Sequence, residues 1–144
     1  MSSSTSSPNA RRLPIDMAWL FLDTHENGRV RLAWMQNGKV LKSTEKEGRA
    51  AVLLPLIAKD FAKYKLEGVC VVQGPGSFSA VRGGVLDANL IARLNKVPLV
   101  PVNATDGLDL QAIAANLAQG ELSSSEYVAP IYDAEPNITI PKKA

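Results

Sequence analysis

The chain has 144 residues, of which 46% are hydrophobic and 21% are charged, and its formal net charge is +2. This length suits one domain with its own core, and no run approaches the ~20 apolar residues that cross a bilayer. So small a net charge argues against a protein that holds nucleic acid mainly by neutralising many phosphates. The single cysteine, Cys70, lies in an apolar run, so we expect a core position and a reducing, cytoplasmic location.

The first segment, residues 1–15, opens with a serine-rich stretch that is typical of a flexible tail. Residues 17–22 then form an apolar run of strand length that ends at Asp23 and Thr24. Because strand tips often line sites in α/β proteins, one hypothesis gives Asp23 and Thr24 a nucleotide-binding role. The alternative is that Asp23 caps a turn.

Two more strands are predicted at 30–35 and 40–44, on either side of Asn37 and Gly38. This dipeptide favours φ > 0 at both turn positions and predicts a hairpin, so the first three strands should form an antiparallel meander. Apolar residues at helical spacing over 53–64 predict a helix of about ten to fifteen residues. Pro55 should lie in its first turn or mark a kink.

A continuous apolar run at 68–73 is typical of a central strand. The loop that follows it consists of Gly74, Pro75, Gly76, Ser77, Phe78 and Ser79. Glycine permits φ > 0 and proline fixes φ, so the chain turns sharply into a helix whose free N–H groups could hold a phosphate. The loop has no lysine for a Walker motif, and Ser79 stands where the dinucleotide-binding pattern needs its third glycine.

The helix after this loop carries two apolar stripes at helical spacing. One stripe consists of Val81, Val85, Ala88 and Ala92, and the other of Leu86, Leu90 and Leu94. Arg82 lies in the first turn, where a cation opposes the helix dipole, so we expect either an internal ion pair or a bound anion. Gly83 and Gly84 weaken a helix interior and indicate close approach of a core strand or of a partner helix.

The remaining pattern predicts a strand at 96–102, a helix over 110–117 and a last strand at 127–132 that ends at Asp133. The predicted order is β-β-β-α-β-α-β-α-β, which implies an α/β domain with a mixed sheet and an antiparallel edge. We expect one domain over 16–134, followed by a C-terminal tail at 135–144.

Residues 71–82, Val-Val-Gln-Gly-Pro-Gly-Ser-Phe-Ser-Ala-Val-Arg, resemble the signature Gly-Pro-Gly-Ser-Phe-Thr-Gly-Leu-Arg of the TsaB (YeaZ) family. Segments 21–24, 53–57, 97–102 and 130–134 are similar to that family's opening strand, first helix, following strand and Asp-Ala strand. The resemblance implies a ribonuclease H-like lobe of the actin-like ATPase superfamily, with a mixed sheet, an antiparallel meander and flanking helices.

The resemblance implies a non-catalytic subunit that binds and supports a TsaD-like protein in threonylcarbamoyladenosine modification of tRNA beside the anticodon. A TsaE-like ATPase would join the assembly through the complex with the TsaD-like protein, and this chain would contact tRNA only indirectly. The free chain could form a homodimer. No cofactor is expected, and ATP could bind only within the complex. The residues expected to bind the partner are Leu54, Ile57, Leu86 and Leu90, with Arg82 beside the signature loop.

The chain also departs from the family pattern. Arg49 and Ala50 stand where the family has a histidine and a serine, Asp87 replaces a threonine, and most of the second lobe is absent, which favours a shortened, scaffold-like member. The alternative is an independent nucleotide-binding actin-like ATPase or a glycoprotease-like enzyme. His25, the only histidine, excludes a two-histidine metal site, and neither Ser77 nor Ser79 has the flanking glycines of a nucleophile elbow.

Overall fold

The computed structural model describes residues 16–132. Its strands are β1 (Asp16–Asp23), β2 (Arg29–Gln36), β3 (Lys39–Glu47), β4 (Tyr64–Gly74) and β5 (Leu99–Asn103). Its α-helices are α1 (Leu53–Asp60), α2 (Phe78–Asn95) and α3 (Leu110–Ala118), and short 3-10 helices span Ala50–Val52 and Ala104–Asp106. The predicted tails at 1–15 and 135–144, and the predicted domain end at 134, lie outside the described residues.

The strands form one sheet in the order β3-β2-β1-β4-β5. The first three pair antiparallel, and β4 pairs parallel with both β1 and β5. Asn37 and Gly38, with φ of 51° and 81°, form the turn between β2 and β3, as their preference for positive φ predicts. The mixed α/β sheet with an antiparallel meander is therefore confirmed.

The sheet is covered on both faces because its central strands carry apolar side chains to each side. One cluster packs α1 and α2 over residues such as Leu20, Leu22 and Val69, and the other packs α3 over Phe21 and Cys70. Cys70 is fully buried, as predicted, and burial raises the pKa of its thiol to about 12. None of the helices in the described part combines the length and apolar content needed to cross a bilayer.

The first helix is shorter than predicted. It ends at Asp60, and Tyr64 begins β4 instead of closing a helical stripe. Two contacts with Trp34 on β2 explain the change: the indole N–H donates to the Asp60 carboxylate at 2.9 Å, and the Tyr64 ring stacks on the indole at 4.9 Å. Pro55 lies in the first turn of α1, one of the two predicted positions, where its missing N–H has no helical partner.

The predicted strand at 127–132 is wrong. Within the described residues this segment makes one isolated bridge, between Gly76 and Tyr132, and otherwise separate hydrogen bonds. The Ile131 N–H donates to the Gln73 carbonyl at 2.7 Å, while the Asn89 amide bonds both backbone groups of Val128 at 2.8 and 3.0 Å. Asn89 thus takes the place of a strand partner for this segment, and the predicted end at Asp133 lies outside the described residues.

Candidate functional site

The loop from Gly74 to Ser79 is held by backbone contacts on two sides. Gly74 has a φ of +122°, and a Cβ there would overlap the carbonyl oxygen of Ile131. A Cβ at Gly76 would lie 2.5 Å from the carbonyl oxygen of His25. Both glycines are therefore required by neighbouring backbone, because no side chain fits between the loop and the two segments that enclose it.

Helix α2 begins immediately after this loop. Ser77 occupies the N-cap position with extended backbone, and its carbonyl accepts from the Val81 N–H at 2.9 Å, but its side chain makes no capping bond. The Ser77 hydroxyl is buried and has no hydrogen-bond partner among residues 16–132. A nucleophilic serine needs a base within hydrogen-bond reach, and this geometry provides none.

Asp23 ends β1 in a cluster of hydrogen bonds. One carboxylate oxygen accepts from the His25 backbone N–H at 3.0 Å and lies 2.6 Å from the His25 ring Nδ1, while the other accepts from Arg31 at 3.1 Å. The first of these bonds is the predicted turn cap. Asp23 is 5% exposed, and both of its carboxylate oxygens accept hydrogen bonds inside the protein.

Thr24 is also engaged by the protein. Its hydroxyl donates to the Ala80 carbonyl at 2.7 Å, and the residue is 3% exposed. Asp23 and Thr24 each line a surface cavity, but the polar groups of both side chains already have hydrogen-bond partners inside the protein. The two residues therefore do not fit the nucleotide-binding hypothesis, since they fasten the end of β1 to its turn and to the first turn of α2.

A cavity of about 330 Å³ lies between the β1–β2 loop, the segment before α1 and the start of α2. Thr24, Glu26, Arg29, Arg49 and Ser79 are among its lining residues. Arg29 is paired with Glu26 at 2.5 Å and reaches Glu45 at 3.9 Å, so its charge is already balanced. Because Glu26 and Arg29 balance each other, Arg49 is the charged lining residue that has no ion pair within 16–132, and one cation does not make a phosphate-binding cluster.

Arg82 points along the helix surface instead of into an ion pair. Its guanidinium carbon lies 5.7 Å from the centre of the Phe78 ring, and that ring lies 4.8 Å from the ring of Tyr132. Within 16–132 no carboxylate lies within 4.0 Å of it. A cation–π contact therefore compensates in part for its position in the first turn.

The two glycines of α2 are explained by contacts inside the chain. A Cβ at Gly84 would overlap the Thr24 hydroxyl and would lie 2.8 Å from the Thr24 methyl group. A Cβ at Gly83 would lie 2.5 Å from the Cβ of Ala50. Of the two predicted reasons for these glycines, a contact inside the chain applies to both. Gly84 approaches Thr24, the residue directly after β1, and Gly83 leaves room for the 3-10 helix before α1.

Helix α2 presents an apolar face to the outside. Leu86, Leu90 and Leu94 are 48%, 50% and 72% exposed, whereas the other stripe, which includes Val81 and Val85, is buried. The predicted division of this helix into two faces is therefore confirmed. We call the three leucines, together with the 44% exposed Leu54 of α1, the leucine face.

Ile57 does not belong to the leucine face. It is 1% exposed and packs in the core between α1 and the sheet, so its predicted place among the partner-binding residues is wrong. Leu54 and Ile57 are three residues apart in an eight-residue helix, and the sheet covers the side that carries Ile57. Local spacing alone does not say which side of α1 meets the sheet.

Metal binding of the TsaD type does not fit these residues. That site needs paired histidines, and His25 is the only histidine of the chain, with its Nδ1 directed to Asp23. Within residues 16–132, no group of three or more His, Cys, Asp or Glu side chains is arranged to hold a metal ion.

Sequence reasoning assigned no role to two residues of α2 that the structure makes prominent. Asn89 bonds Val128, as described above, and Asp87 is half-buried beside the leucine face. Burial raises the pKa of the Asp87 carboxyl above its ordinary value. The available signal was a charged residue between two leucines of an apolar stripe, in place of the family's threonine.

The sheet order, the antiparallel meander and the helices on both faces define a ribonuclease H-like lobe of the actin-like type. The family described as TsaD, tRNA N6-adenosine threonylcarbamoyltransferase, matches residues 50–135. This match covers more than half of the chain, and the chain therefore belongs to that tRNA-modification family.

The solved structures that match are of YeaZ type. YeaZ from Pseudomonas aeruginosa is 25% identical, with a TM-score of 0.54, over 72% of this chain and 50% of that one. An uncharacterized protein with similarity to peptidase YEAZ from Pseudomonas aeruginosa gives the same identity, TM-score and coverage. These matches confirm the resemblance to the TsaB (YeaZ) family, and the chain spans half the length of both structures. A search of curated proteins found no match.

Proposed function

We propose that this chain is a non-catalytic, TsaB-like subunit that binds a TsaD-like protein through the leucine face. The proposal rests on one observation above all: α2 buries one apolar stripe in its own core and leaves Leu86, Leu90 and Leu94 about half or more exposed. A contiguous apolar face on a helix is typical of a surface that packs against a partner helix.

Leu54 supports the same interpretation, because α1 follows directly after the 3-10 helix whose Ala50 packs on Gly83 of α2. The apolar side chains of the two helices therefore lie on neighbouring elements. In this proposal a TsaE-like ATPase and tRNA join through the TsaD-like protein, ATP binds only within the complex, and the assembly is cytoplasmic.

The alternative, an independent nucleotide-binding ATPase or glycoprotease-like enzyme, gains no support from the described residues. Asp23 and Thr24 are bonded inside the protein, and the Ser77 hydroxyl has no base beside it. We therefore assign the chain a binding role.

The test is a direct binding measurement between the full chain and the TsaD-like protein of the same genome. Leu90→Glu removes the burial of a half-exposed leucine, worth about 1 kcal/mol, and sets a charge inside the contact at a further cost of several kcal/mol. We expect the dissociation constant to rise at least about 100-fold. Leu41→Glu is the matched control, since Leu41 is 42% exposed on the edge strand β3, away from α2.

Two results would contradict the proposal. One is the absence of any complex with wild-type chain when both proteins are folded, and the other is equal binding by Leu90→Glu and Leu41→Glu. If the free chain forms a dimer that Leu90→Glu dissociates while the TsaD-like protein still binds, the leucine face serves self-association and the proposed role of that face is wrong.

A further inference from the structure

Asp87 lies at the border of the leucine face on α2. Residues three and four apart share a side of a helix, so Asp87 lies next to Gly83 and Leu90, one turn away on either side. It is half-buried, yet no hydrogen bond or ion pair joins its carboxylate to another residue within 16–132. The neighbouring apolar surface has removed part of its hydration without offering a charged partner.

The cations of the chain that lie nearest along the helix point elsewhere. Arg82 and Arg93 are five and six residues from Asp87, which turns them about 140° and 120° away around the helix. Arg82 lies over the Phe78 ring. Among the side chains that the structure describes, the charged residues on the segments that pack against α2 are Asp23 on β1, Arg49 before the 3-10 helix, Lys65 and Glu67 on β4, and Glu126 in the segment that Asn89 bonds. None of these cations lies within ion-pair distance of Asp87, and Asp23 is bonded to Arg31.

A partner that covers Leu86 and Leu90 would remove more water from Asp87. A carboxylate that loses its remaining hydration is costly unless a cation or strong donors replace the water. The contact thus requires one of two arrangements: a cation set against an ionised Asp87, or a protonated Asp87 against an apolar surface. The two arrangements depend on pH in opposite directions.

We propose that the partner surface sets an arginine or lysine side chain against Asp87, so that this carboxylate selects the partner by charge while the leucines supply the apolar contact. The inference rests on the proposed function and names the chemistry of the partner at one position. A second copy of α2 packed antiparallel about a two-fold axis would set the same edge of both helices together, and Arg82 and Arg93 lie away from that edge, so the copy would bring Asp87 no cation from α2. Charge complementarity therefore favours a different protein with a basic residue at this point.

The sign of the pH dependence follows from the ion pair. Burial raises the pKa of Asp87 in the free chain, whereas a cation in the complex lowers it, so the complex releases a proton when it forms near that pKa. Binding is then strongest above the pKa of the free chain and is lost as pH falls through it. An apolar partner would give the reverse, with tighter binding at acidic pH.

The experiment is titration calorimetry of the full chain against the TsaD-like protein of the same genome, from about pH 4 to about pH 8, in buffers of different ionisation enthalpy. We expect wild-type binding to weaken about tenfold at the acidic end with net proton release on binding. Asp87→Asn should bind about tenfold more weakly near neutral pH and lose this dependence. Asp106→Asn, an exposed aspartate after β5, is the matched control and should bind like wild type.

Thermal unfolding separates misfolding from a binding defect. Asp87→Asn removes a partly desolvated charge, so the free variant should melt at or slightly above the wild-type temperature. If Asp87→Asn binds like wild type while Leu90→Glu loses most of its affinity, the proposed partner cation is wrong and the proposed function stands. Unchanged binding by both variants would overturn both. Tighter binding by Asp87→Asn would also show that the proposed cation is wrong, and would indicate an apolar partner surface at this position.

Discussion

The contact between Gly84 and Thr24 provides a test of how closely α2 packs against the end of β1. In an isolated helix, Gly84→Ala would be stabilising by about 1 kcal/mol, because alanine is the better helix former. Here the new Cβ would overlap the Thr24 hydroxyl and lie 2.8 Å from its methyl group, at a buried position. We expect the substitution to destabilise the protein.

The magnitude follows from three contributions. Forcing an extra methyl group into a packed site costs about 1–3 kcal/mol. If Thr24 moves to make room, its hydrogen bond to the Ala80 carbonyl, 2.7 Å long, is lost at about 1 kcal/mol. Less the gain of about 1 kcal/mol in helix propensity, the free energy of unfolding should fall by about 1–3 kcal/mol.

The assay is urea unfolding followed by circular dichroism, with a thermal melt alongside. For a domain of this size the expected loss lowers the melting temperature by about 4–12 °C. A double-mutant cycle with Thr24→Ala isolates the contact, because that change removes both of the atoms nearest the new Cβ. In the Thr24→Ala background, Gly84→Ala should be neutral or slightly stabilising.

A higher melting temperature for Gly84→Ala in the wild-type background would refute this reasoning, since helix propensity would then outweigh the contact. Additive effects of the two substitutions would refute it as well. In that case the contact with Thr24 would not explain why glycine occupies position 84.

Substitutions at two further residues, Asp60 and Cys70, test the core. Asp60→Ala leaves the buried Trp34 indole N–H without an acceptor and should lower the free energy of unfolding, measured by urea denaturation, by about 1–3 kcal/mol. Asp60→Asn keeps an acceptor and loses mainly the ion pair with the partly exposed Lys42, so its loss should be smaller. Equal losses in the two variants would contradict this. The Cys70 thiol, with a pKa of about 12 when folded and an ordinary value of 9.0 when unfolded, should resist a thiol reagent at mildly alkaline pH. Because the unfolded chain loses this proton first, stability should fall as pH rises above 9.0, more steeply than in Cys70→Ala; identical slopes would contradict the assignment.

The sheet was predictable because its signals are local. Alternation and apolar runs locate the strands, and the Asn37–Gly38 turn fixes the antiparallel meander. The start of β4 was missed because Phe61 and Tyr64 continue the helical spacing of α1. The sequence signal against a helix was the alternation of apolar and charged residues over 64–67, which is typical of a strand. The contacts that decide between the two come from Trp34, some thirty residues earlier in the chain.

The candidate site was predictable only in part. The two stripes of α2 follow from spacing, and their exposure agrees with the prediction. Spacing does not show that Ile57 faces the core or that Thr24 bonds Ala80, 56 residues away, because these facts depend on how distant segments pack. The isolated bonds that hold 125–132 without a strand come from Leu99, Gln73 and Asn89, and no local pattern predicts such bonds.

The same packing explains why stability and partner binding should respond to different substitutions. Thr24, Gly76 and Gly84 pack against one another or against His25 beneath α2, whereas the three leucines that α2 gives to the leucine face lie on its exposed side. A variant beneath α2 should lower the melting temperature of the free chain and change the dissociation constant little where the chain remains folded. A variant on the leucine face should raise the dissociation constant and change the melting temperature of the free chain little, since its side chains are already exposed in the free chain.

Excess partner should raise the melting temperature of Gly84→Ala by about as much as that of wild type, because stabilisation by a ligand depends on its concentration and its dissociation constant. If partner fails to stabilise Gly84→Ala, α2 has shifted on the sheet. The contact between Gly84 and Thr24 then also determines the position of the leucine face.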